Sequence, residues 1–211
     1  MTNSNNAVDG FAIALAWPET LCKQAGAWYD GLMYMLGINR NGYYRVGHAA
    51  IVLVNAKTGK CHYYDFGRYH APHGKGRIRS EVTDHDLKIK CIAKINRRKN
   101  VISNLPEILK ELAHNGSTHG TGTIHGALFK IDFEKAQDFI GKMQTSDFLP
   151  YGPFRIKGTN CSRFVNTVLQ KSGISLAQKL YLKLPWMITP TPMFNLKARA
   201  FIWISVPEIK R

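Results

Sequence analysis

The stretch from Gly47 to Phe66 leaves this chain little choice of local structure. His48-Ala-Ala-Ile-Val-Leu-Val54 is a continuous apolar run rich in β-branched side chains, which suit a strand better than a helix. Asn55-Ala-Lys-Thr-Gly59 then supplies turn chemistry, and Cys61-His-Tyr-Tyr-Asp-Phe66 is a second strand-forming run. The two runs are expected to pair as a hairpin. Any fold open to the chain must therefore contain an antiparallel ladder.

Around that hairpin the periodicity alternates between strand and helix. Phe11 to Trp17 reads as a short buried strand ended by Pro18. Lys23 to Leu36 places Ala25, Trp28, Leu32, Met33, Met35 and Leu36 at helical spacing, with Gly37 as C-cap. Asp86 to Ile95 alternates between apolar and mostly basic positions, which predicts a half-exposed antiparallel strand. Ser103 to Ala113 predicts a helix, His114 to Gly122 a loop and Ala127 to Ile131 a strand. Asp132 is a suitable N-cap for a helix over Phe133 to Met143. Asn160 to Lys171 predicts a further helix closed by Gly173, and Ala198 to Val206 a last strand. Antiparallel strands mixed with helices that are not regular βαβ crossovers indicate the α+β class. No linker or repeat divides residues 1–211, so one domain is expected.

Composition narrows the function. The four cysteines (Cys22, Cys61, Cys91 and Cys161) include no CxxC pair, and no Cys/His cluster has zinc-site spacing, so no metal or other cofactor is expected. The first ten residues are polar and carry Asp9 rather than a basic segment. A reducing, cytoplasmic setting with free thiols is the expectation. No apolar run approaches the roughly 20 residues that span a bilayer. The net charge of +15, from 29 Lys and Arg against 14 Asp and Glu, suits an anionic polymer or an acidic lipid surface. The basic residues are dispersed, apart from Lys75-Gly-Arg77-Ile-Arg79 and Arg97-Arg98-Lys99. No helix-turn-helix, zinc-finger or RNA-recognition pattern accompanies them, so no sequence-specific nucleic-acid reader is expected.

The candidate chemistry centres on Cys161. It falls in the first turn of the predicted helix, directly after Lys157-Gly-Thr-Asn160. Unpaired N–H groups at a helix N-terminus favour a thiolate and can hold an oxyanion. His48 follows Gly47 at the mouth of a strand, where its imidazole can stand clear of the sheet. Asp65 and His62 both lie on the partner strand, and either is a candidate to orient the second imidazole nitrogen. The hairpin register favours Asp65, which falls at the same end as His48.

Gly47-His48-Ala-Ala-Ile-Val-Leu-Val54, the turn, and Tyr63-Tyr64-Asp65 resemble the histidine-bearing hairpin of circularly permuted, papain-like NlpC/P60-related proteins. These include the YiiX-like and lecithin:retinol-acyltransferase-like groups. Tyr151-Gly-Pro-Phe154 followed by Asn160-Cys161-Ser162-Arg163-Phe164-Val165 resembles their nucleophile segment, and the order, histidine first and cysteine last, agrees. The resemblance implies an α+β papain-like fold in which a small antiparallel sheet packs against the cysteine-bearing helix. It also implies acyl-thioester chemistry on an amide or ester. Cys161 would be nucleophile, His48 base and Asp65 orienter, with Tyr151 and Ser162 lining the oxyanion and substrate side. Relatives often carry Glu or His where Asp65 stands, and the Arg68 to Arg79 loop here is longer and more basic than in that pattern.

Three functions follow from these residues. The first is a cysteine peptidase or amidase, acting on peptides of the cell-wall type. The second is a lipid acyltransferase or phospholipase, for which Leu180 to Met193 is the candidate apolar patch. The third is a non-catalytic module that binds an anionic polymer through its basic surface. The sequence leaves the oligomeric state open.

Overall fold

The structure is a computed structural model, and it describes residues 9–24, 30–35, 37, 39–153, 157–183, 189–198, 200 and 202–208. Its centre is a seven-stranded antiparallel sheet of β1 (Gly10–Trp17), β2 (His48–Asn55), β3 (Cys61–Gly67), β4 (Lys75–Ser80), β5 (Ile124–Ile131), β6 (Leu149–Pro150) and β7 (Ile202–Val206). The spatial order is β6-β4-β3-β2-β1-β5-β7. The α+β class expected from the sequence holds, with a larger sheet than expected.

Both faces of the sheet are covered, which is why β1 and β2 lack a polar side. In β1, Phe11, Ile13, Leu15 and Trp17 face one layer, and Ala12, Ala14 and Ala16 face the other. The bulky face packs on α2 (Leu105–His114) through Ile108, Leu109 and Leu112. On the alanine face, small side chains leave room for helices to approach the backbone closely. That space is taken by α3 (Phe133–Gln144), α4 (Cys161–Lys171) and α6 (Pro192–Leu196). Phe164, Val165, Val168 and Leu169 of α4 are fully buried there. The Asp132 carboxylate accepts the Lys135 N–H at 3.0 Å to cap α3, and the Asp132 N–H donates to the Ser172 carbonyl at 2.8 Å, tying the start of α3 to the end of α4.

Two other helices are short: α1 (Asp30–Met35), followed by Gly37, and α5 (Leu176–Lys183). Ala25, Trp28 and Leu36 of the predicted first helix lie outside the described residues, as do Leu184 to Ile188 within the candidate apolar patch and Phe154 of the tyrosine motif. In the described part of that patch, Leu180 is exposed and Leu182 buried.

One expected element is not a strand. Asp86 to Ile95 runs as a 3-10 turn (His85–Leu87) and then an irregular extended segment, with only Ile95–Asn96 pairing to Val101–Ile102. The alternation is real, since Leu87, Ile89 and Ala93 are buried. Several of its backbone donors, however, are claimed by side chains, and that of Ala93 by the Gly59 carbonyl at 2.8 Å. The Glu111 carboxylate of α2 accepts the N–H groups of Lys90 (2.6 Å) and Cys91 (2.8 Å), and Asn104 accepts that of Lys94 (2.8 Å). With its donors satisfied in this way, the segment needs no neighbouring strand. The basic Arg68 to Arg79 loop is likewise part strand: β4 begins at Lys75, and Arg77 is tied to Asp84 through two contacts of 2.8 Å.

Candidate active site

β1 ends and β2 begins at the same end of the sheet, where Trp17 sits opposite His48 in the register. The chain enters β2 through Gly47 at φ +74°. A Cβ at Gly47 would lie 2.9 Å from the Trp17 carbonyl oxygen and 3.1 Å from the Pro18 Cα, so the turn requires glycine. The Trp17 indole stacks on the His48 ring with centroids 5.7 Å apart and planes at 28°. Gly120 in turn packs on the indole, since a Cβ there would meet ring atoms at 2.3 Å. His48 is thus braced by a buried ring that is itself braced by a loop.

β3 supplies the carboxylate. Asp65 pairs with Ala50, two residues beyond His48, and so falls on the same face of the hairpin. Its Oδ2 lies 3.3 Å from His48 Nε2. That is longer than the contacts of 2.5–3.0 Å that Asp65 makes with Arg79 and Tyr63. His62 faces elsewhere and pairs with Glu81 at 2.8 Å, so the structure brings Asp65, not His62, to the imidazole.

Asp65 has no solvent exposure and carries a full set of donors. Tyr63 Oη donates to Oδ2 at 3.0 Å, Arg79 Nε to Oδ1 at 3.0 Å and Arg79 Nη2 to Oδ2 at 2.5 Å. Arg79 stands directly across the ladder from Asp65. Its remaining fork nitrogen, Nη1, donates to the Ser117 carbonyl at 3.0 Å, and its guanidinium carbon lies 3.6 Å from the Tyr69 ring centre. Burial would raise the Asp65 pKa, but His48 and Arg79 together hold it below the ordinary carboxylate range.

The thiol arrives from the other layer. Cys161 is the first residue of α4, and Asn160 caps the helix by accepting the Arg163 N–H at 2.9 Å. That cap leaves the N–H groups of Cys161 and Ser162 at the positive end of the helix. For His48, burial alone would favour the neutral ring. The nearby Asp65 carboxylate and Cys161 sulfur outweigh it and push the His48 pKa up to about 9. With Nε2 turned to Asp65, Nδ1 is the nitrogen left for the sulfur. The other thiols are in poorer surroundings: burial pushes Cys22 and Cys61 up to about 12, and Cys91 is raised as well. All four thiols are free.

Cys161 opens on a cleft of about 440 Å³. Tyr151 lines it, stacked on Phe66 with ring centroids 5.9 Å apart and planes at 8°. Burial, reinforced by the charge of Cys161, holds the Tyr151 hydroxyl in its protonated, donating form. Ser162 lines the cleft too, but Asn195 Nδ2 donates to both its carbonyl (2.9 Å) and its hydroxyl (3.1 Å), which ties α6 to the first turn of α4. Val46, Pro153, Pro190 and Pro192 make much of the wall apolar. Lys23, Arg45 and Arg68 supply positive charge, with no carboxylate among the described lining residues. Arg68 also stacks its guanidinium on Tyr151 at 5.4 Å and donates to the Lys23 carbonyl. Among the described residues, no group of three or more His, Cys, Asp or Glu is placed to hold a metal ion.

Sequence reasoning missed Arg79, Trp17 and Cys22. Arg79 carried a usable signal, because Lys75-Gly-Arg77-Ile-Arg79 alternates as a strand adjoining the hairpin does. Trp17 and Cys22 reach the site through pairings that no local pattern announces.

Comparison with known proteins adds three findings. A family model described as type VI secretion system effector TseH-like matches residues 12–176. The crystal structure of the type VI secretion system effector TseH shares 21% identity with this chain at a TM-score of 0.58, covering 95% of this chain and 94% of that one, a likeness of fold. No curated protein matches.

Proposed function

The chain belongs to the type VI secretion system effector TseH-like family, and on that premise we propose that it is a cysteine hydrolase acting on an amide bond through an acyl-thioester. The observation that supports this reading is a cysteine at the positive end of α4, facing an imidazole that is backed by a buried carboxylate and opening on a cleft. The Cys161 thiolate attacks the carbonyl carbon. The N–H of Cys161 and the Tyr151 hydroxyl hold the developing oxyanion, and the His48 imidazolium gives its proton to the leaving amine. Water, deprotonated by His48, then releases the acyl group. Asp65 keeps the ring oriented throughout.

The order of these parts, His48 on β2, Asp65 on β3 and Cys161 on α4, favours the permuted NlpC/P60-related arrangement. Secretion-system effectors act away from the cytoplasm of the producing cell, in contrast with the cytoplasmic setting that composition suggested. No helix among the described residues is long and apolar enough to cross a membrane. We take cell-wall-type peptides as the substrate class. Incubation with such peptides, followed by intact-mass and peptide-level mass spectrometry, tests this. The expected result is new amine termini together with an acyl adduct on Cys161, both absent from Cys161→Ala; cleavage that survives the substitution overturns it.

A second reading has an observation of its own. The apolar cleft wall with Lys23, Arg45 and Arg68 beside it suits the acyl chain and headgroup of an anionic lipid. Release of fatty acid from anionic phospholipid vesicles, with the peptides left intact, would favour that reading. Binding without turnover or thiol labelling would favour a non-catalytic module for anionic polymers.

A further inference from the structure

The Asp65 carboxylate is asked to serve two cations at once. Oδ1 is committed to Arg79 Nε. Oδ2 receives Arg79 Nη2 at 2.5 Å and Tyr63 Oη at 3.0 Å, and only then faces His48 Nε2 at 3.3 Å. The short, bidentate contact belongs to arginine, and the longer one to histidine. Arg79 itself is 3% exposed, with its third nitrogen on the Ser117 carbonyl and its face on Tyr69. A buried guanidinium fixed on three sides cannot drift away from the carboxylate, so this division of Asp65 is permanent.

We propose that Arg79 is a positioning residue that fixes the Asp65 carboxylate and divides its negative charge with His48. The idea rests on the reading of Cys161 and His48 as the working pair. Without Arg79, Asp65 would bind the imidazolium so strongly that the ring gave up its proton reluctantly to a leaving group. Without Asp65, the imidazolium would have no partner behind it. Arg79 sets the balance between these extremes. Among the described residues, the titratable and charged groups around the His48–Asp65 pair are Cys161 from α4, Tyr63 from β3, Arg79 from β4, Tyr69 after β3, and His119 in the loop after α2. His119 stacks on Tyr69 at 4.7 Å, and its own proton affinity is lowered first by burial and then by the charges of Arg79 and His48. Among these, Arg79 is the fixed positive charge.

The test is the His48 titration midpoint, followed by NMR in the intact protein and assigned with His48→Gln. Arg79→Gln removes the charge that shares Asp65 and should raise the midpoint by about one pH unit or more, the size of effect a neighbouring charge has. Arg79→Lys keeps the charge and should leave the midpoint within a few tenths of a unit while loosening the fork. Tyr63→Phe removes a smaller claim on Oδ2 and should raise the midpoint by less than Arg79→Gln does, which keeps the test usable if Arg79→Gln fails to fold. A merely structural arginine would lower thermal stability in both Arg79 variants with the midpoint unmoved. An unmoved or lowered midpoint in Arg79→Gln, or in Tyr63→Phe where only that variant folds, overturns the proposal. The readout does not depend on substrate, so failure of the hydrolase reading would show separately, as an unreactive Cys161 beside a normally shifted His48.

Discussion

His48 Nε2 stands 3.3 Å from Asp65 Oδ2, inside a protein interior that exposes 4% of the histidine and none of the aspartate. In such surroundings each charge depends on the other, and the consequences can be measured.

The first concerns thiol reactivity. Cys22 and Cys61 are pushed up to about 12 by burial and Cys91 is raised, so none of them offers appreciable thiolate at neutral pH. Iodoacetamide at pH 7 should modify one equivalent of thiol, located at Cys161 by peptide mapping. Cys161→Ala should remove this labelling and keep the fold. His48→Ala should slow it by orders of magnitude. Adducts first appearing on another cysteine would refute the assignment of the nucleophile.

The second is a pH dependence with a definite sign. The folded His48 holds its proton up to about 9, against 6.5 for an ordinary histidine. Between those values the folded state binds more protons than the unfolded one, so stability must fall as pH rises. The His48 contribution is complete below about 6.5 and gone above about 9. Urea unfolding at intervals from pH 6 to 10 should show this loss, and His48→Gln should lack it. A variant with the same slope as the parent would mean that another group is responsible.

The third concerns the buried ion pair. Asp65→Ala leaves the Arg79 guanidinium buried without its carboxylate, a defect that costs about 3–5 kcal/mol. Chemical denaturation should register that loss. Asp65→Asn, which keeps the shape, should cost less but reduce the His48 shift to the part that Cys161 supplies. A loss below 1 kcal/mol for the alanine variant would show that the pair is more hydrated than its burial implies.

The fourth tests the brace behind the imidazole. Gly120→Ala drives a methyl group into the Trp17 indole, which is 1% exposed and cannot swing away. Overpacking of this kind costs about 1–3 kcal/mol. Because Trp17 carries His48, the alkylation rate of Cys161 should fall as well. Wild-type stability and reactivity would show that the loop simply moves aside.

A fifth probes the first turn of α4. Asn195 is fully buried, donates to Ser162 and accepts from Asn166 Nδ2 at 2.9 Å. Asn195→Ala strands those partners and should cost about 1–3 kcal/mol. A thermal melt that matches the parent would indicate that water replaces the amide.

Much of this architecture could be read directly from the chain. The His48 to Phe66 hairpin, the Asp132 cap and the helix opening at Cys161 are all local: a run of β-branched residues, a side-chain oxygen three residues from an N–H, a polar turn before an apolar face. Asp86 to Ile95 shows the limit of such reasoning. Its alternation is that of a strand, yet Glu111 and Asn104 satisfy the backbone donors of Lys90, Cys91 and Lys94 from another element. Alternation reports which side chains are buried and says nothing of what the backbone bonds to.

The chain by itself marked Cys161 and His48 as the candidate groups, because a cysteine in a helix's first turn and a histidine at a strand's mouth are defined by their immediate neighbours. Folding alone decided that Arg79 holds the Asp65 carboxylate and that Trp17 carries the ring, and it placed Asp65 rather than His62 behind the imidazole, as the hairpin register favoured. Those partnerships join residues from different strands and loops. They depend on ladder register and on the alanine-lined approach of α4 to the sheet, which arise only when distant segments pack together.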